Sequence, residues 1–410
     1  MRHALALALV LAACGDSSPD PDLTTERKIP AALAADVHAV AQANNQFALD
    51  ALAVLPAEGN QFFSPFSIST ALWMLDAGAA GDTDAELRAA LHASLPGDAA
   101  HHAYGAMLDS LEVGRSFELY TLATANRLFG QKGAPFLQPF LDLTANAYGA
   151  PLESLDFRSD PEAARGVIND WVADRTDDKI PELLEAGSVG NDARLVLANA
   201  IVFKGKWVHQ FDPARTAPGK FTLASSAQVD TPMMSKKDDV ARVELPGGYL
   251  GVLPFRGKDL SMMVLVPDEA NGLPALEEGL TAASLATAIA TAEQHVASGK
   301  EMTVILPKFK FETELDLREV LPRLGIVSAF DERADLSGID GTRDLVVQKA
   351  VHKAVIAVDE QGAEAAAATG VVVGPTSLPP QFVVDRPFVF FIYDHVTGSI
   401  LFLGRVNDPR

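Results

Sequence analysis

Glu360-Gln361-Gly362-Ala363-Glu364-Ala365-Ala366-Ala367-Ala368-Thr369-Gly370, continuing Val371-Val372-Val373-Gly374-Pro375-Thr376-Ser377-Leu378-Pro379-Pro380, is the stretch on which the reading of this chain turns. It separates two apolar runs, an alternating one from Leu345 to Val358 and another from Phe382 to Phe391. Three conformations are open to it. Alanine is the best helix former, but about a dozen residues make a marginal helix, and Gly362, Gly370 and the successive valines cut it short. A flexible linker would favour Ser, Pro and charge over Ala and Val. In an extended chain of period two, Ala363, Ala365, Ala367, Thr369, Val371 and Val373 share one face, and Glu364 falls on the other. Such a segment can leave water and enter a sheet with nothing bulky or charged on its buried side. Ala363 to Val373 would span roughly 36 Å at about 3.3 Å per residue, long for one strand.

The flanking text narrows the choice. Glu-x-Gly-x-Glu-Ala-Ala-Ala-Ala-Thr, a variable loop and then Asp385-Arg386-Pro387-Phe388 resemble the hinge and reactive loop of the serpin family. The terminal run from Asp385 through Phe391-Ile392-Tyr393-Asp394-His395-Val396-Thr397-Gly398 to Leu403-Gly404-Arg405-Val406 is similar to that family's C-terminal signature nearly residue by residue. Serpin-like text covers about Asp36 to Arg410. The resemblance implies an α+β fold, with helices packed around three mainly antiparallel β-sheets and an exposed, insertable loop at about 360–381. It implies an inhibitor of serine proteases that acts by being cut, and so not an enzyme. Glu360, Gly362 and Ala363 to Thr369 would form the hinge, Glu364, Ala365, Ala366, Ala367 and Ala368 included.

Counting on the family's spacing from either side puts the reactive bond at Thr376-Ser377. A cut after Val373 is the alternative and would shorten the loop. Thr376 suits a protease with a small, apolar primary pocket, so an elastase-like or subtilisin-like target is expected; no Lys or Arg lies between Lys353 and Arg386. Ala363 stands where family inhibitors usually carry Thr or Ser, and is as small. The resemblance also implies that Ser64, Ser67, Asn199 and His352 line the gap that opens for insertion, as a hydrogen-bonded latch, and that Trp207 sits at the top of the opening sheet. Read without it, His352 is a satisfied core histidine, Asn199 a polar residue needing a partner if buried, and Trp207 core packing. A non-inhibitory serpin serving as a surface binding module is the second reading, and a hydrolase using Ser64 or Ser67 with His352 a distant third.

Composition agrees with a single globular body. Of 410 residues, 48% are apolar, and 33 Lys and Arg against 54 Asp and Glu give a net charge of −21. That balance argues against nucleic acid and against heparin-like polyanions, since phosphate binding needs a basic patch. In heparin-binding serpins a helix near residues 82–98 is basic; here Asp84, Glu86 and Asp98 surround Arg88. There is no phosphate-binding loop, His-Glu-x-x-His or Gly-x-Ser-x-Gly motif, and neither metal nor cofactor is expected. His101-His102 reads as a pair on a surface helix. A monomer is expected.

At the front, Arg2 and the apolar Ala4 to Leu11 form a targeting segment too short to span a bilayer. Leu11-Ala12-Ala13-Cys14 resembles a bacterial lipobox, which implies cleavage at residue 13 and lipidation of Cys14, the one cysteine in the chain. An ordinary secretory signal is the alternative. The chain would then be exported and held at the cell envelope or surface, or be extracellular. Residues 14–35, with Asp16, Pro19, Asp20, Pro21 and Asp22, suit a solvated tether, and 36–410 the folded domain. Within it, helices are predicted from Asp36, Ser64, Asp82, Ala99, Phe136, Asp160, Leu273 and Leu315. Strands are predicted at Phe117 to Phe129, Leu195 to Trp207 and Glu301 to Phe311.

Overall fold

The computed structural model describes residues 27–116, 119–296, 301–363 and 380–410. Its strands, in chain order, are β1 (Gln61–Phe63), β2 (Tyr120–Gln131), β3 (Glu153–Leu155), β4 (Leu195–Lys206), β5 (Ala217–Thr222), β6 (Gln228–Asp239), β7 (Ala241–Leu245), β8 (Gly248–Pro254), β9 (Leu260–Pro267), β10 (Glu301–Pro307), β11 (Phe309–Asp316), β12 (Lys349–Val358), β13 (Gly362–Ala363), β14 (Gln381–Val383), β15 (Phe388–Asp394) and β16 (Ser399–Val406). The helices are α1 (Ala34–Val54), α2 (Pro65–Asp76), α3 (Gly81–Ala90), α4 (Ala99–Ser116), α5 (Gln138–Tyr148), α6 (Pro161–Arg175), α7 (Leu273–Glu278), α8 (Ala282–Val296), α9 (Leu317–Val320) and α10 (Ser337–Asp340).

The strands make three sheets among the described residues, in the orders β1-β16-β15-β9-β8-β7, β14-β10-β6-β5 and β11-β12-β13-β4-β2-β3. Most neighbours are antiparallel, as expected. The exceptions are β10 with β14, β2 with β3, and, in the middle of the third sheet, β12 with β4. That third sheet is the main one. Its strand β4 is buried on both faces. Leu195, Leu197, Ile201 and Phe203 join the main core, while Val196, Ala198, Ala200 and Val202 join a second cluster with Ile168 and Val172 of α6. Two-sided burial is why β4 reads as a nearly continuous apolar run rather than an alternating one.

Helix starts follow local chemistry. Ser64 caps α2, its Oγ accepting from Ser67 N at 3.0 Å, and Asp160 caps α6, accepting from Ala163 N at 2.9 Å ahead of Pro161. Both place an acceptor where the first turn has unpaired N–H groups.

Several expectations need revision. Leu273 to Val296 is two helices, α7 and α8, parted at Gly279. The run Glu301 to Phe311 is two strands in different sheets, because Pro307 has no N–H to continue the ladder. His101 is buried rather than on a surface face: its Nδ1 meets Tyr148 OH at 2.6 Å, its ring packs edge-on against Trp73, and burial drives its pKa down to about 4. The folded body also begins before Asp36. The Arg27 guanidinium is buried and meets both Asp394 carboxylate oxygens at 2.9 Å, with Nε donating to Ser110 O at 2.9 Å. A buried charge needs such partners, so residues 27–35 belong to the body rather than to a tether.

Candidate functional site

The seam between β4 and β12 is where the predicted site residues meet. From Lys349↔Val196 to Val355↔Val202 the two strands pair directly and in parallel. Above that they separate. There β13 lies between them, antiparallel to both, with Ala363 facing Val358 on one side and Gly205 on the other. Ala363 is buried at 2% exposure, on the same face as Ile356, Ala354 and His352, so the face predicted to be the small, buried one is the one that enters. Gly362 stands where a Cβ would overlap the Gly205 carbonyl oxygen; only glycine allows that approach.

The chain reverses between β12 and β13 around Asp359. Its Oδ1 accepts from Gln361 N at 2.8 Å and from Gly362 N at 3.3 Å, and its own N–H donates to Gly362 O at 2.8 Å. Burial pushes its carboxyl pKa up. Trp207 closes the top. Its indole Nε1 donates to Asp359 O at 3.0 Å and its backbone N–H to Gln361 O at 2.9 Å. Its ring stacks on Phe255 with centroids 4.7 Å apart. Glu360 is held beside it, with one carboxylate oxygen accepting from Lys308 Nζ at 2.7 Å and the other from Thr216 Oγ1 at 2.6 Å. Burial alone would raise this carboxyl, but the bonds from Lys308 and Thr216 outweigh it and hold it below its usual pKa.

Midway down the seam, Ser64, Ser67, Asn199 and His352 form one network, all with 0% exposure. Ser64 N donates to His352 Nε2 at 3.0 Å. That bond leaves the proton on Nδ1, which donates to Asn199 Oδ1 across the seam. Asn199 Nδ2 donates to Ser67 O at 2.7 Å and to Asn126 Oδ1 at 2.9 Å, and Ser67 Oγ donates to the same Asn126 oxygen at 2.9 Å. Ser64 Oγ donates to Leu401 O at 2.6 Å. No carboxylate joins the network, and burial drives the imidazole pKa down to about 3. A neutral histidine donating to an amide, with its other nitrogen filled by a backbone N–H, has no free lone pair to act as a base. The serine–histidine hydrolase arrangement is therefore not built here.

The structure thus brings Ser64, Ser67, Asn199 and His352 together along the seam, with Trp207 above them. Asn126, Lys308 and Thr216 were missed. Asn126 had a signal: alternation along β2 puts it on the face of Leu122, Thr124 and Leu128, the face whose leucines join the main core. Glu364 to Thr369 of the hinge, the Thr376-Ser377 bond and Cys14 lie outside the described residues. Among the described residues no cluster of three or more His, Cys, Asp or Glu is arranged for a metal, and no helix is long and apolar enough to cross a membrane.

Comparison with known proteins places this architecture. The family model Serpin (serine protease inhibitor) matches residues 42–409. The leukocyte elastase inhibitor of Bos taurus is 43% identical over 384 residues, covering 90% of this chain and 98% of its own. Serpin B3 of Homo sapiens is 38% identical over 395 residues, covering 91% and 100%. Among solved structures, uncleaved ovalbumin superposes with a TM-score of 0.79 at 30% identity, covering 90% of this chain and 100% of its own. Maspin gives 0.81 at 26% identity, covering 92% and 100%. A seam that parts to admit its own loop, a family match over nearly the whole described body and relatives of this identity lead to one conclusion: the chain belongs to the serpin family.

Proposed function

We propose that this chain inhibits serine endopeptidases by serving as a substrate that arrests them. Glu360 to Thr369 act as the hinge and Thr376-Ser377 as the reactive bond. The observation that carries the reading is the entry of Gly362 and Ala363 between two strands that otherwise pair with each other. Continuing that register residue by residue brings Thr369 between His352 and Asn199, and Val373 between Gln348 and Leu195. The polar hinge residue on the buried face then arrives where the latch bond must break, and its hydroxyl can take up the freed groups.

The chemistry belongs to the protease. Its serine Oγ attacks the Thr376 carbonyl carbon, the bond to Ser377 N breaks, and that amine leaves with a proton. Thr376 stays esterified to the protease. The freed hinge enters the seam as a full strand. Over the chain from Ala363 to Thr376 this carries the ester on the order of 40 Å along the sheet. Trapping is a race between that movement and hydrolysis of the ester. Thr376 and the named leukocyte elastase inhibitors both favour a target of elastase type, with subtilisin type next.

The protein mixed with elastase-like and subtilisin-like proteases should give a denaturant-stable complex on gels and release a fragment beginning at Ser377. Ala363 is already buried in the uncut protein, so the test falls on Ala367→Arg, which would bury a charge during insertion and should turn full trapping into full turnover. Clean cleavage without a complex, and without a gain in thermal stability, would instead favour the non-inhibitory binding module.

We further propose that the chain is a bacterial export product, cut at residue 13 and held to a membrane by lipid on Cys14, with a tether to about residue 26. The leukocyte elastase inhibitor and serpin B3 named above are from Bos taurus and Homo sapiens, so the support is local: an apolar core from Ala4 to Leu11, and a lone cysteine where the lipobox needs it. Labelled palmitate should enter the protein in bacterial cells and fail to enter Cys14→Ser. The body is proposed to act as a monomer without cofactor or polyanion.

A further inference from the structure

The seam is closed below the latch by a residue outside the predicted site. The parallel ladder begins at Lys349↔Val196, and directly beneath it the Gln348 side chain reaches across. Its Oε1 accepts from Arg194 N at 3.0 Å and Leu195 N at 3.1 Å, and its Nε2 meets Asp192 O at 3.4 Å. Its backbone N–H donates to Leu195 O at 3.2 Å. From the far side Gln131 N donates to Arg194 O at 2.9 Å, so residues 192–195 are gripped from both flanks. Gln348 itself is anchored on the other half of the seam, where Arg318 donates to its carbonyl at 2.7 Å.

We infer that Gln348 is a positioning residue, a staple at the closed end of the seam that holds the uncut form shut and is released only when insertion is complete. The argument is one of register and rests on the insertion reading above. The strand that enters above at Ala363 reaches Leu195 and Gln348 with Val373, close to the end of the inserted segment. The backbone groups of Leu195 that Gln348 occupies are those an incoming strand must face. The staple and the full-length inserted strand exclude each other. Its bonds therefore stabilise the uncut form alone, whereas a residue that merely packs would support both forms.

The test compares uncut protein with protein cut once between residues 364 and 379 by a trace of a metalloprotease, which forms no acyl-enzyme and so escapes trapping, the single cut verified by intact mass. Gln348→Ala should lower the melting midpoint of the uncut form by roughly 2–4 °C and leave the cut form unchanged. Amide exchange at Leu195 should quicken several-fold in uncut Gln348→Ala and stay slow in both cut proteins. Gln348→Glu, which keeps an accepting oxygen, should restore slow exchange. If Gln348→Ala does not fold, Gln348→Ser carries the same comparison. Equal destabilisation of uncut and cut forms, or an unchanged Leu195 amide, would overturn the staple. If instead cutting the parent protein brings no gain in stability at all, insertion itself has failed, and that outcome is distinct from both.

Discussion

The seam between β4 and β12 and the junction between β15 and β16 are both largely buried strand pairs, yet they differ in what packs against them. At β15–β16 the pairing is antiparallel from Phe388↔Val406 to Asp394↔Ser399. The Phe62 ring stacks on Phe402 at 5.3 Å and on Phe390 at 5.8 Å over it. At β4–β12 the pairing is parallel, and the groups beneath it are hydroxyls, amides and an imidazole. Interlocked rings are held by shape. Hydrogen-bonding groups can change partners, provided the new ones arrive as the old ones leave. Where its rings interlock the β15–β16 junction is apolar, with its polar pair Asp394↔Ser399 at one end, and the β4–β12 seam is polar at the latch.

The sharpest way to break that comparison is to damage the apolar junction. Phe402 is buried at 0% exposure, and its ring lies 5.7 Å from Phe203 as well as against Phe62. Phe402→Ala should cost about 3–5 kcal/mol, and the comparison expects that cost to be the same in uncut and loop-cut protein. Chemical denaturation of both forms reads it. A loss confined to the uncut form would mean that the β15–β16 junction also rearranges, and the division of labour would fall.

How much of this was legible before the structure depends on whether residues act through their neighbours in sequence or across space. The start of the hinge was legible because its property, small side chains at period two, is local, and Ala363 of β13 enters on the predicted face; Glu364 to Thr369 lie outside the described residues. The latch was legible through resemblance; composition alone left His352 a core histidine. Lys308, Thr216 and Gln348 were not, because nothing in their own surroundings marks them. Lys308 follows a strand-ending proline and meets Glu360 52 residues later, and Gln348 looks like the polar flank of a strand until it is seen to reach Arg194 and Leu195. The apolar run from Phe382 to Phe391 misled similarly, since Asp385-Arg386-Pro387 inside it carries the chain from one sheet to another. Hydrophobicity gives burial, but not which sheet does the burying.

The polar seam makes a pH prediction that the apolar junction does not. His352 is neutral when folded, its pKa pushed by burial to about 3, against about 6.5 in an unfolded chain. A depressed pKa means that the unfolded state binds the proton first. The stability due to the neutral ring is therefore complete above about pH 6.5 and drains away as pH falls towards the folded value. Protonating Nε2 would also set an N–H against the Ser64 N–H that now donates to it. Uncut protein should lose stability from pH 7 to pH 4, by an amount on the order of a few kcal/mol, and His352→Gln should show a shallower fall in the same denaturant series. His101, also depressed, titrates with the same sign, so the comparison between parent and variant isolates the seam. Parallel curves for the two would remove His352 from the latch.

The smallest effect is expected at the top, where Glu360 holds Lys308 and Thr216. The carboxylate is buried, but its cationic partner is 22% exposed at the side chain and can turn to water once released. Glu360→Gln keeps one accepting oxygen for Thr216 and sets an amide against the Lys308 ammonium, so a loss of about 1–2 kcal/mol is expected, in the uncut form. Because the folded carboxyl is held below its usual pKa, the contribution is present above about pH 4.3 and disappears as pH falls through the folded value. The Glu360 and His352 effects thus separate on a pH axis, the histidine fading first. A Glu360→Gln loss larger than that of His352→Gln, measured at pH 7 by denaturation of uncut protein, would place the main hold on the seam at its entrance. Insertion would then be governed by release of the hinge, with the buried latch merely following.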